Sequence, residues 1–273
     1  MALTTDRPDG HQDEFNLTIL SRDVIRQIDP YHPVSVTLNC ENYYFEEYTA
    51  GADFIMGDPY PIGINSTFSK WGTACNSTYG DCGCDNCEGS VYDVSARLDT
   101  YNQYEHWLGL WPKTKVHNPQ SFNGEGYWAR DPTVDEEIVM NALAFNHGAK
   151  SIISWVWPTS DELAQIHGKF ASVVTKSPAV DFIVSEKVQS VDLTDRKGID
   201  AAIWTSESGV LISVVNGGEA TDKEVIIDLP DQVVINAKQQ ALWGQGTWTI
   251  DDGCIRLRNI GAMSTNMIMI SGE

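Results

Sequence analysis

Three carboxylates stand beside aromatic rings at the ends of apolar runs. Asp58 closes the run 52–58 (Ala-Asp-Phe-Ile-Met-Gly-Asp) and is followed by Pro59, Tyr60 and Pro61. Glu41 follows the β-branched run 33–39 and precedes Asn42, Tyr43 and Tyr44. Glu125 lies after the short run 115–118, in a stretch with Gln120, Phe122, Asn123, Tyr127 and Trp128. A fourth run, 151–157, ends on Trp155 and Trp157. Aromatic rings stack on the apolar face of a pyranose, while amides and acids take its hydroxyls. Two carboxylates across a glycosidic bond act as acid and as base or nucleophile. The expected site therefore uses Asp58, Glu41 and Glu125 as carboxylates, with Asn42, Tyr43, Tyr60, Gln120, Trp155 and Trp157 against the substrate. Each has a plainer reading: core rings for Tyr43, Tyr44 and Trp155, a surface acid at Glu125, an Asx-turn at Asp58. The coincidence at four successive run ends favours chemistry.

Other chemistries are poorly served. The six histidines form no His-x-x-x-His or His-x-His pair, and there is no Gly-x-Ser-x-Gly elbow or phosphate loop. No cofactor or metal is expected. The chain has 38 acidic against 18 basic residues, a net charge of −20, which argues against nucleic acid or an anionic membrane. No run is long and apolar enough to span a bilayer. Carbohydrate is the expected partner.

Positioning such a site takes strands that alternate with helices. Leu17, Leu20, Val24 and Ile28 recur at helical spacing behind a cap candidate, Asn16. The run 33–39 reads as the first strand and 52–58 as the second. Val91, Val94, Leu98, Tyr101 and Leu108 mark a long helix, and 115–118 a third strand. Thr133 and Glu136 form a capping box that opens a helix ending at Gly148; 151–157 is the fourth strand, and a last helix carries Leu163, Ile166, Phe170 and Val173. Such alternation implies a parallel sheet. From Val184 onward come short β-rich runs (199–204, 210–215, 225–229, 255–257) separated by Gly-rich turns. The fold class expected is α/β: a partial (β/α)-barrel of about four β/α units over 1–183, then an antiparallel β-sandwich over 184–273.

Cys75, Cys82, Cys84 and Cys87 crowd one Gly/Asn/Asp-rich stretch, and Cys40 and Cys254 stand apart. Zinc sites favour two Cys-x2-Cys pairs, and only Cys84–Cys87 has that spacing, so disulfides are the preferred reading, with Cys40–Cys254 as one conceivable bridge. Three glycosylation sequons, at Asn16, Asn65 and Asn76, fit a secreted protein. The opening Met-Ala-Leu-Thr-Thr is no signal peptide, so the secretory segment is expected to be absent from this chain.

The segments Asp29-Pro30-Tyr31-His32-Pro33-Val34, Asp58-Pro59-Tyr60-Pro61, Gln120-Ser121-Phe122, Arg130-Asp131-Pro132-Thr133 and Gly148-Ala149-Lys150 resemble the second half of a glycoside-hydrolase TIM barrel, as found in secreted fungal proteins. The trailing β-domain resembles the one that often follows such barrels. The resemblance implies that the chain starts near the end of the fourth barrel strand, where related barrels read Asp-Glu-Pro with the Glu as acid/base. Here the residues are Asp6-Arg7-Pro8. Arginine is no general acid near neutral pH, and Asp6, Asp9 or Glu14 are the local substitutes. Half a barrel also leaves strand edges unpaired, so either two copies close it as a homodimer or the β-domain covers it. Three functions follow: a glycoside hydrolase, an inactive descendant that binds glycans in a lectin-like way, or a structural or immunomodulatory secreted protein.

Overall fold

The computed structural model describes residues 2–41, 43–65, 67–70, 72, 74, 88–193, 198–229, 238–251 and 253–271. Asn42, Cys75, Asn76, Cys82, Cys84 and Cys87 lie outside the described residues. The chain begins β1 (Ala2–Asp6), α1 (Pro8–His11), α2 (Leu17–Ile28), β2 (Val34–Leu38), α3 (Phe45–Thr49), β3 (Phe54–Gly57) and α4 (Asp93–Leu108). It continues with β4 (Thr114–His117), α5 (Val134–Asn146), β5 (Ala149–Ile152), α6 (Asp161–Val174) and α7 (Ala179–Ser185). Eight strands follow: β6 (Val188–Ser190), β7 (Ile199–Ser206), β8 (Gly209–Asn216), β9 (Val225–Asp228), β10 (Lys238–Trp243), β11 (Thr247–Asp251), β12 (Cys254–Arg258) and β13 (Ser264–Ser271). Two compact units result, Met1–Pro132 with Ala149–Thr159, and Thr133–Gly148 with Ser160–Glu273.

The first unit is a partial α/β barrel, a parallel sheet in the order β1-β2-β3-β4-β5. It has five strands where the sequence reading counted four. The extra one, β1, is a five-residue segment too short to show a period. β2 is buried along its whole length, as parallel strands covered on both faces are. Val36 and Leu38 pack with Phe45, Tyr48, Ile55 and Tyr101, contributed by α3, β3 and α4. The fourth strand is shorter than expected: β5 stops at Ile152, and Trp155 adds an isolated bridge to Gln120.

Helix α2 forms where its period places it, and most of its apolar stripe faces outward. Leu20, Val24 and Ile28 are exposed, and the buried residue is Thr18. α2 follows β1, an edge strand of the sheet among the described residues, and packs on β1 and α3 through its other side. Asn16 makes no side-chain cap bond.

In the second unit, five strands in the order β10-β13-β8-β7-β6 face three in the order β11-β12-β9, all antiparallel. Ile203, Ile212, Val214, Ile268 and Ile270 from the larger sheet pack on Val225, Ile227, Ile255 and Leu257 from the smaller, the alternation a sandwich requires. Gly209 sits at φ 139°, and a Cβ there would lie 2.1 Å from the carbonyl oxygen of Ile270, so this strand start admits only glycine. The capping box at Thr133 opens α5 as expected: Thr133 Oγ1 accepts from the Glu136 N–H at 3.2 Å, and Glu136 Oε2 from the Thr133 N–H at 2.8 Å. Cys254 keeps a thiol 3.1 Å from Asp228 Oδ1, so the Cys40–Cys254 bridge does not form.

Candidate functional site

The C-terminal ends of β1, β3 and β5 carry Arg7, Asp58 and Trp155, and these three side chains meet. Arg7 Nε lies 3.4 Å from Asp58 Oδ2, and the guanidinium sits 5.6 Å from the centre of the Trp155 ring. Asp58 is fully buried, and the Arg7 side chain is 21% exposed. The same Nε is 3.6 Å from Oδ2 of Asp6, a more exposed acid. Backbone bonds fix each member. The Arg7 N–H donates to Thr37 O, that of Asp58 to Leu38 O, and that of Trp155 to Pro119 O. Arg7 itself is in the left-handed region, at φ 52°. Trp157, beyond Trp155, is exposed.

Beneath Asp58 lies a polar core that the sequence reading did not assemble. Asp9 is buried and accepts backbone N–H bonds from Gly10, Asn39 and Cys40 at 2.9, 3.1 and 2.7 Å. Burial still pushes its carboxyl above the usual range, against those bonds and Arg97. Arg97 Nη1 donates to Asn39 O and to the Tyr101 hydroxyl, both at 3.4 Å. Burial raises the Tyr101 phenol, with Arg97 opposing and the charges of Asp9 and Asp58 adding to the rise. The spacing Arg97 to Tyr101, one helical turn, was the available signal. His117, at the end of β4, is held neutral because burial pushes it down to about 3.

The other expected carboxylates sit elsewhere. Glu41 is half-buried and accepts from Thr100 Oγ1 of α4 at 3.0 Å. Glu125 is on an exposed loop at φ 52° and pairs with Lys70, whose ammonium also lies 5.0 Å from the Trp128 ring centre. Tyr60 is buried, donating to Asn118 Oδ1 at 3.1 Å and meeting Phe122 edge-on. Gln120 spends its amide on Ile62 and Phe122: Nε2 donates to both carbonyls, and Oε1 accepts the Ile62 N–H. Tyr43 packs against the core beside Tyr44 and Tyr48. Of the nine expected site residues, Asp58 and Trp155 thus share a cluster, joined by Arg7. Among the described residues, no group of three or more His, Cys, Asp or Glu is placed to hold a metal ion.

Solved structures similar in fold include glycoside hydrolases. The chain is similar to an α-amylase from Anoxybacillus, with a TM-score of 0.60 at 10% identity, over 96% of this chain and 57% of that one. It is similar to a GH30 endoxylanase from Clostridium papyrosolvens C71, TM-score 0.52 at 12% identity, over 99% of this chain and 65% of that one. A GH51 arabinofuranosidase from Xanthomonas axonopodis gives 0.54 at 8% identity, over 98% and 66%. The chain therefore spans between 57% and 66% of the length of these proteins. At such identities the likeness establishes the fold. No protein-family profile matches the sequence, and no curated protein matches it.

Proposed function

We propose that the chain is a glycoside-hydrolase-like protein that binds carbohydrate at the Arg7, Asp58 and Trp155 cluster without turning it over. The observation that carries this reading is the ion pair of Arg7 with the buried Asp58. A glycosidase needs one carboxyl that carries a proton and a second that is free to act. A guanidinium beside a carboxylate favours the charged form, the reverse of what a proton donor needs. Glu41 and Glu125 are engaged by Thr100 and Lys70. The exposed ring of Trp157 is placed to stack on the apolar face of a sugar. The fold shared with carbohydrate-active enzymes supports the ligand class. A glycan array tests it. Wild type is expected to retain a defined set of neutral glycans, and W155A/W157A to lose them; retention by the double variant would remove the proposed site.

A second reading, hydrolysis, is favoured by one contact. Asp6 and Asp58 each place an oxygen beside the same Arg7 nitrogen, at 3.6 and 3.4 Å, so two carboxylates lie close together there, as a glycosidase pair does. Release of nitrophenol from an aryl glycoside, lost in D6N, would establish it.

The proposal includes 1–183 as the barrel-derived part and 184–273 as an appended β-domain, which limited proteolysis checks by the cut site. It includes a homodimer at the β1 edge, supported by the exposed Leu20, Val24 and Ile28; a monomer in sedimentation velocity contradicts that. Secretion from a fungal source, with glycans on the exposed Asn16 and Asn65, is the expected setting. An endoglycosidase-sensitive mass after secretion from a fungal host checks it. Disulfides rather than zinc in 75–87 complete the reading; zinc released by a thiol reagent would overturn that part.

A further inference from the structure

The second unit contains a cleft of about 740 Å³, within the size range of small-molecule sites. One wall is the turn from β10 to β11, residues 243–246; the other is the start of β13 with Asp135 and Ile138 of α5 and Ile166 of α6. The turn is pressed onto β13. A Cβ on Gly244 would lie 2.4 Å from Thr265 O, one on Gly246 2.4 Å from Leu257 Cδ1, and the Gly246 N–H donates to Asn266 Oδ1 at 2.8 Å. Backbone therefore forms much of this wall, and side chains cannot fill it.

The lining sorts its ligands by charge. Among the described residues that line it there is no Lys, Arg or His, and Asp135 is the single ionisable one. Anions find no counter-charge there. The first turn of α5 is acidic, and its capping box already satisfies the helix start. The polar groups offered are neutral: the Gln245 and Asn259 amides and the hydroxyls of Ser264 and Thr265, with Ile166, Trp243 and Met263 as apolar surface.

Thr265 supplies an independent signal. It is 4% exposed, it lines the cleft, and its hydroxyl has no hydrogen-bond partner. Ile268 and Ile270 of β13 face the sandwich core, so alternation turns Thr265 to the opposite side, the side of α5. A buried hydroxyl without a partner is costly to the fold unless a ligand completes it. We infer that this cleft binds a neutral, polyhydroxylated ligand of mono- or disaccharide size, with Thr265, Gln245 and Asn259 taking its hydroxyls. The cleft shares no lining residue with the Arg7 cluster.

The test uses full-length protein carrying W155A/W157A, so that binding at the Arg7 cluster cannot be mistaken for binding here. Maltose, cellobiose and xylobiose are titrated by ligand-observed NMR and thermal shift. At least one is expected to bind saturably. Adding T265V is expected to weaken it about three- to tenfold, the value of one lost hydrogen bond, while the unliganded protein melts at the same or a higher temperature. Q245A, on an exposed rim residue, is expected to weaken binding with no change in melting. The inference is overturned if none of the three sugars binds, if T265V and Q245A bind as their parent does, or if T265V lowers the melting temperature and leaves the affinity intact.

Discussion

Replacing Arg7 with Met strips the cation from a carboxylate that has no exposure to water. At 3.4 Å and an effective dielectric of about 20, the pair attracts by roughly 5 kcal/mol before desolvation is counted. Breaking a buried pair by removing one partner costs about 3–5 kcal/mol, because the other charge is left behind. At about 2–4 °C per kcal/mol for a unit of this size, R7M is expected to melt roughly 6–20 °C below wild type. Asp58→Asn leaves Arg7 partly solvated and beside Asp6, so its cost is smaller, about 1–3 kcal/mol. The double variant R7M/D58N removes both charges and is expected to lose about 2 kcal/mol less than the two single variants together. Urea unfolding followed by circular dichroism on all four proteins closes the cycle. Additive losses, or R7M within about 0.5 kcal/mol of wild type, would refute the reading of Arg7 as the counter-ion of Asp58.

Three further outcomes follow from the same physics. Lys115 and Glu105 form a buried ion pair, and Glu105 also accepts the Lys113 N–H at 2.9 Å; K115M is expected to cost about 3–5 kcal/mol, seen as a lower urea midpoint at unchanged slope. Burial pushes the Asp93 carboxyl up to about 7, above its unfolded value of 3.8. The folded state thus binds the extra proton between those values, so stability falls as pH rises from about 4 to about 7. D93N is expected to gain on wild type over that window by up to roughly 4 kcal/mol, with an equal gap at pH 5 and pH 8 counting against it. Thr133→Ala removes half of the capping box on α5 and is expected to cost about 1 kcal/mol in thermal unfolding.

Much of this fold could be read from the residues, and the misses have physical causes. Thr133 and Glu136 announced α5 because a capping box is a local signal. β7 and β8 showed as β-branched runs on either side of a Gly-containing turn. β10 did not, because Lys238, Gln239, Gln240 and Ala241 have no strand preference of their own and are ordered by pairing with β13. β1 shows no run of its own because five residues carry no period, and it was reached only through the resemblance, which placed a strand end at Asp6. The stripe on α2 predicted the helix and left open whether it is covered, since periodicity reports a face and not what lies against it. At the site, the resemblance placed Arg7 where an acid/base carboxyl is expected, and its pairing with Asp58 appears once the chain has folded. The roles of Gln120 and Tyr60 were not legible, because amides and phenols that bind sugar and those that lock a loop are the same residue types. Their bonds to Ile62, Phe122 and Asn118 appear once the chain has folded.

The most direct test of the central claim is turnover measured on a panel of nitrophenyl glycosides, with wild type and D58N side by side. A glycan-binding chain whose buried Asp58 is neutralised by Arg7 is predicted to release no nitrophenol above the uncatalysed rate from any member of the panel, in either protein. Wild-type release that is abolished by D58N would contradict it and make Asp58 a working catalytic carboxylate.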